Sequence, residues 1–289
     1  MEKCLLSVDW DYFVYTQHTL GLYIENKRSL DELWYKRYIQ AMARGKDIKK
    51  AFQLSPEVDT FWDRIKQRFK FVDGIKAYVS DSHALSYKIA KENHCNVVYL
   101  FDTHSDLGYG GLSSLNYDVN CSNWLGKLLK DKQIKEANII YSPYTAEKPE
   151  HFKLMNRIYN IRYYDFNDLN VINDPNDHYD FNDCNDFNYP YDLNDMDLGD
   201  LSDPSGPSDL NAPDNLAHLD NSDKYIDKYI EISVIHICRS GAWAPPWLDN
   251  NFIKFIDALG LPYEVVDCPK RKWDPVHISL SKQIDYLLA

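Results

Sequence analysis

The 289-residue sequence has no apolar run approaching the roughly 18 residues a bilayer-spanning helix requires, so no membrane span is expected. It also lacks a stripe of clustered Lys and Arg. Without cations massed together there is little to displace counterions from phosphates, and a dedicated nucleic-acid binder is not expected. Its six cysteines are far apart and include no C-x-x-C pair, which reads as reduced thiols rather than a disulfide framework. The opening MEKCLLSVDWDYF reaches two Asp before a secretory apolar core could be completed, so a cytoplasmic chain is expected.

Cations are missing altogether from residues 165 to 223, which hold 16 Asp and no Glu, Lys or Arg. This segment supplies −16 to a chain whose net charge is −12, leaving the other 230 residues at +4. Asn-Asp pairs recur there between single aromatic or aliphatic residues, a composition that disfavours regular structure and repels itself. The expectation is a disordered, low-complexity acidic insert. Its carboxylates could hold hard cations, but the calcium-loop pattern D-x-[DN]-x-[DN]-G with a Glu at position 12 is absent.

Outside the insert, short β-rich apolar runs alternate with helical patterns. Strands are expected at 4–8, 75–79, 96–101, 138–141, 161–164, 232–238 and 263–266. Ser29-Leu-Asp-Glu32 forms a capping box opening a helix over 30–43, and Ser55-Pro56-Glu57 opens another running to Phe69. Further helices are expected over 83–92, 122–130, 148–159 and 246–259. Buried strands separated by helices imply one α/β domain spanning 1–289. It would be a three-layer sandwich with a mainly parallel central sheet, interrupted by the insert. Such sheets place their ligands at the carboxyl ends of the strands.

Three motifs fall at those ends. Asp102-Thr103-His104-Ser105-Asp106 follows the run ending at Phe101, and two carboxylates with an imidazole are a ligand set for Mn, Zn, Fe or Co. Asp9-Trp10-Asp11 follows the first strand; adjacent carboxylates repel unless a cation lies between them. Ser80-Asp81-Ser82-His83 ends the second, where a His can turn one ring nitrogen to a metal while polar neighbours orient the other.

Together these motifs resemble the metal-binding signatures of the arginase (ureohydrolase) superfamily. In that family a Gly-Gly-Asp-His, an Asp-Ala-His-x-Asp and an Asp-x-Asp segment hold two Mn ions. The resemblance implies Asp9, Asp11, His83, Asp102, His104 and Asp106 as metal ligands, with Asp9 and Asp102 bridging. His83 and Asp106 would complete one ion, His104 and Asp11 the other, and Asp106 would pass a proton to the departing amine. Among known branches the pattern is most similar to peptide arginases, which convert arginine residues of ribosomally made precursor peptides to ornithine. An arginine-containing precursor peptide is therefore the implied partner.

The sequence departs from the family in two places. Its Asp-x-Asp segment is N-terminal, while Ile235-His236-Ile237-Cys238 fills the expected late strand. Either the N-terminal strand takes the vacant place in the sheet, or His236 and Cys238 contribute; Mn's preference for oxygen favours the carboxylates. No His lies between Asp106 and Lys130, where the family often has one on the substrate side, so His236 becomes the candidate proton shuttle. Asn120 and Asn123 are candidates for substrate-backbone contacts, and Glu264 for the guanidinium. Competing readings are a one-zinc amide hydrolase of the deacetylase type and a non-catalytic peptide-binding protein of the same fold.

Overall fold

The computed structural model describes residues 2–16, 30–166 and 230–288. The chain runs β1 (Cys4–Asp9), β2 (Val14–Thr16), α1 (Leu30–Ala43), α2 (Ile48–Ala51), β3 (Phe52–Leu54), α3 (Phe61–Arg68), β4 (Phe69–Ser80), α4 (Leu85–Glu92) and β5 (Val97–Asp102). It continues through α5 (Trp124–Lys130), β6 (Glu136–Tyr141), α6 (Lys153–Ile158), β7 (Ile161–Asp165), β8 (Ile230–Cys238), α7 (Asp249–Ala258), β9 (Tyr263–Val265) and α8 (Leu280–Leu288). Seven strands form one sheet in the order β7-β6-β5-β1-β8-β4-β9, every neighbouring pair parallel. Helices cover both faces, giving the expected three-layer α/β architecture. The strand β1 lies near the middle, between β5 and β8, as an N-terminal strand must if it occupies an interior place in the sheet.

Because side chains alternate along a strand, each face of the sheet can be read from the sequence. Cys4, Leu6 and Val8 of β1, Val97, Tyr99 and Phe101 of β5, and Ile235 and Ile237 of β8 enter one core, which stays apolar to the strand ends. Leu5, Val98, Leu100 and Val234 enter the other, beside Ile89 of α4 and Trp124 of α5. The alternation on this second face turns polar toward the carboxyl ends: Leu5 is followed by Ser7 and Asp9, Leu100 by Asp102, Val234 by His236. All of these polar residues are buried. One end of an otherwise dry layer thus carries a concentration of polar side chains.

Several element boundaries differ from expectation. The helix opened by Ser55 is broken: a 3-10 turn at Pro56–Asp59 is followed by α3, and β4 already begins at Phe69. The Pro-led stretches at 149 and 246 likewise begin as 3-10 turns before becoming helical. The antiparallel β2–β3 pair and α8 are not anticipated, since two three-residue strands far apart in the chain carry too little periodicity to be seen. The acidic insert was expected to begin at 165, but Asp165 ends β7 and Phe166 is buried, stacked on Phe61 at 5.6 Å and 6° with the Arg64 guanidinium 3.5 Å from its ring centroid. The rest of the insert, from 167 onward, and the Ser29 capping residue lie outside the described residues.

Candidate metal centre

The polar strand ends meet around the His83 ring. Its Nδ1 lies 2.9 Å from Asp106 Oδ2, 3.0 Å from Asp102 Oδ2 and 3.2 Å from Asp9 Oδ2. A single N–H can point at only one of three acceptors. The three carboxylates therefore converge on the region in front of the nitrogen, an arrangement suited to a cation. Beside it, His104 Nδ1 lies 3.3 Å from Asp11 Oδ2 and 3.5 Å from Asp102 Oδ1. Asp9, His83 and Asp102 can each offer a ligand atom within 4.8 Å of the others, as can Asp11, Asp102 and His104. Asp102 belongs to both groups, one carboxylate oxygen toward each.

Local backbone geometry sets these positions. Asp9 caps the 3-10 turn Trp10–Phe13 by accepting from the Asp11 amide at 3.1 Å, which fixes the spacing between the two carboxylates. Asp102 Oδ1 accepts from the His104 amide at 2.8 Å and folds the motif back on itself. Asp106 adopts a left-handed φ of 52°, which turns its carboxylate to His83 and to the indole N–H of Trp124, 2.5 Å away. Its carbonyl meanwhile accepts from the Leu125 and Gly126 amides at the start of α5.

Hydrogen bonds do not account for this cluster by themselves. Asp11 Oδ1, His83 Nδ1 and Asp102 Oδ2 are buried and make no well-aligned hydrogen bond within the protein. Buried polar atoms are normally satisfied, and three orphans on adjoining ligand groups are what a bound cation would answer. Hard carboxylates with borderline imidazoles suit an ion such as Mn or Zn.

The electrostatics agree. Burial pushes the Asp102 carboxyl well above its usual pKa, and the nearby charges of Asp106, Asp11 and Asp9 add to the rise. Burial, with Asp11, also raises Asp9. For Asp11 burial acts upward but is outweighed by the His104 imidazolium, and its pKa is lowered. His83 and His104 are both driven well above an ordinary imidazole: burial opposes their charge, and the surrounding carboxylates overcome it.

The other expected residues fall elsewhere. His236 is completely buried in β8 behind His83, its ring 5.9 Å from the His83 ring, and bonds to Ser80 and Ser86. It does not reach the open side of the cluster, where a shuttle to substrate would stand. Asn123 is buried and spends its amide on the carbonyls of Ser114 and Asp118 and on the Asn120 amide. Asn120 in turn uses its side-chain oxygen on Ser122. Both organise their own loop. Glu264 is exposed on the edge strand β9, separated from β1 by β4 and β8. Asp9 faces the His83 group, so that of the two expected bridging carboxylates Asp102 alone reaches both.

Other contributors lie outside the expected ligand set, several in the loop 239–246, whose Gly, two Pro and Trp243 mark it in the sequence as an irregular sheet-edge loop with Trp243 as a pocket-wall candidate. Ser240, at a left-handed φ of 48°, donates to Asp9 Oδ2. Asp81 lies within the His83 motif but turns away to form a buried bidentate pair with Arg239, both bonds 2.8 Å. Glu147 accepts from the Ser105 amide and the Tyr109 hydroxyl, stitching the loop after β6 to the Asp102–Asp106 segment. Trp243 stands over His104, centroid to centroid 5.6 Å, and His104 itself is 30% exposed, which marks the accessible side of the cluster. Only strand-end placement could have pointed to Asp81 and Glu147. Searches of family models, curated proteins and solved structures find no match to this chain.

Proposed function

We propose that the protein is a binuclear metal-dependent hydrolase that removes urea from arginine residues of a peptide, leaving ornithine. The observation that carries the reading is the adjoining pair of metal-capable Asp/His groups sharing Asp102. Four carboxylates gather there with two imidazoles, and a charge of about −4 is matched by two divalent ions. Mn is the proposed metal, on the weight of oxygen among the ligands. A metal pair so held supplies a water acidified to near neutrality and an electrophile for the substrate.

The chain's own residues do the rest. Asp9, Asp102, Asp106 and His83 would hold one ion; Asp11, Asp102 and His104 the other. Asp106 Oδ2, kept in place by Trp124, is the group proposed to carry a proton to the departing amine. Its contacts with Trp124 and His83 restrict the carboxylate to one orientation, which serves proton transfer at a fixed point. Trp243 lies beside the partly exposed His104, an aromatic face suited to a planar cation. Stacked Tyr15 and Tyr144, 4.3 Å apart, offer a further aromatic surface for a peptide.

We place this activity in the cytoplasm. Cys4, Cys95, Cys121, Cys238 and Cys268 form no disulfide, and among the described residues no helix is long and apolar enough to cross a membrane. One asymmetry favours a second reading, a one-zinc amide hydrolase: the His83 group is wholly buried, while the His104 group is partly open. Metal analysis separates the two, with two Mn per chain supporting the first and one Zn the second. Incubation with Mn and arginine peptides, read by mass spectrometry, tests the reaction; a loss of about 42 Da localised to arginine is expected, whereas deimination would add about 1 Da.

A further inference from the structure

Behind His83, away from the carboxylates, runs an unbroken line of polar contacts through the second layer of the protein. His83 Nε2 lies 2.8 Å from Ser7 Oγ, Ser7 Oγ 2.9 Å from Ser86 Oγ, and Ser86 Oγ 2.6 Å from His236 Nδ1. His236 Nε2 lies 2.8 Å from Ser80 Oγ, which donates to the Ser82 carbonyl at 2.8 Å. Ser7, Ser80, Ser86, His83 and His236 are all buried. They come together through register: His236 pairs with Ser7 on one side and Tyr78 on the other, and Ser86 reaches them from the first turn of α4.

A hydroxyl carries one proton, and this fixes the direction of every bond. The Ser82 carbonyl can only accept, so it takes the Ser80 proton. Ser80 must then accept from His236, which places a proton on His236 Nε2. A fully buried imidazole whose two nitrogens meet only hydroxyls has no counter-charge and is neutral, so its Nδ1 is bare and accepts from Ser86. Ser86 has no second proton; it accepts from Ser7. Ser7 in turn accepts from His83, whose Nε2 must carry the proton. A neutral His83 then has a lone pair on Nδ1, the atom facing Asp9, Asp102 and Asp106.

We infer that Ser80, His236, Ser86 and Ser7 form a one-directional hydrogen-bond chain that fixes His83 in the tautomer required of a metal ligand, with His236 as a positioning residue. The inference rests on the metal-binding reading of the cluster and is independent of what is hydrolysed.

Nuclear magnetic resonance of protein labelled with ¹⁵N-histidine tests it, in metal-free and Zn-loaded samples, since proton-bearing and bare ring nitrogens differ in shift. His236 is expected to carry its proton on Nε2 in both samples, and His83 to carry one on Nε2 and none on Nδ1 when Zn is bound. A proton on His236 Nδ1 would overturn the inference. Failure to bind Zn would remove the metal reading, while the His236 signal would still decide the direction of the chain. As a second readout, His236→Leu and Ser86→Ala should weaken Zn binding about 10- to 100-fold, and His236→Asn, which retains an acceptor for Ser86, should restore it to within about 3-fold of the unaltered protein. Equal weakening by Leu and Asn would assign His236 a packing role and contradict the proposal. Should His236→Leu fail to fold, the tautomer measurement on the unaltered protein still decides.

Discussion

Asp9 and His83 face each other at 3.2 Å although the strands that deliver them, β1 and β4, are separated in the sheet by β8. Both side chains project past the carboxyl ends of their strands to the same side, and Asp102 arrives there from β5. An N-terminal Asp-x-Asp segment therefore reaches the same point as motifs located far along the chain.

Asp102→Asn should lower metal affinity at least about 100-fold, because an amide cannot replace a carboxylate shared by two ligand groups. Asp9→Asn should behave similarly, and Asp118→Asn, on the loop before α5, should have no effect. Metal content after dialysis provides the check. The metal-free Asp102→Asn protein should be about as stable as its parent, since burial and the neighbouring carboxylates already favour the neutral carboxyl that an amide resembles.

Metal binding should release protons and tighten as pH rises. In the metal-free protein the raised pKa values of His83 and His104 mean that their stabilising contribution is complete below about pH 6.5, the ordinary imidazole value, and is lost as pH climbs through the raised values. The lowered Asp11 acts oppositely, its contribution present above about pH 4 and lost on acidification through its folded value. Metal must displace the imidazole protons, so the rise in Tm on adding Mn should be larger at pH 8.5 than at pH 6.5. A pH-independent rise would contradict this account.

Gly241→Ala should destabilise the fold by about 3 kcal/mol through the Asp81–Arg239 pair. A Cβ at this position would stand 2.7 Å from Asp81 Oδ1, and its backbone carbonyl is held by Trp34 Nε1 at 2.7 Å and Arg271 Nη1 at 2.9 Å, so the loop has little room to yield. Denaturant titration measures the loss.

The sheet and the Asp/His cluster at its strand ends are legible because their signals are local: apolar runs of strand length, each ending in Asp or leading to a turn with His. The alternation that sends Ser7, Asp9, Asp102 and His236 to one face can also be read off the sequence once the strands are known. Contacts made at long range could not be read. Nothing near Ser240 signals that it will donate to Asp9, and Asn123 resembles a ligand-binding amide until the fold shows its amide spent on its own loop. Asp81 sits in the motif that delivers His83 and serves Arg239 instead. Strand-end placement suggests the substrate side for His236, but the direction of its side chain puts it behind His83.

Replacing residues 167–229 should preserve metal content if the linker is long enough. Phe166 follows β7, and Ile230 starts β8, a parallel strand four places away in the sheet, so any replacement linker must span from the carboxyl end of one strand to the amino end of the other. A Gly/Ser linker of about 20 residues should suffice and one of about 4 should not, since a parallel crossover needs a dozen or more residues. Removing Phe166 as well should cost about 3 kcal/mol, the usual loss for a buried aromatic ring. Metal content and denaturant midpoints of the three variants compare these outcomes.

The most direct test of the central claim is the mass change of an arginine-containing peptide incubated with the Mn-loaded protein. The peptide must carry no acetyl group, because deacetylation also removes about 42 Da. A loss of about 42 Da that fragmentation places on arginine, together with release of urea and its abolition in Asp102→Asn, is the result the account predicts. Unchanged peptide mass across a broad panel of arginine peptides, from protein shown to hold two Mn ions, would contradict it.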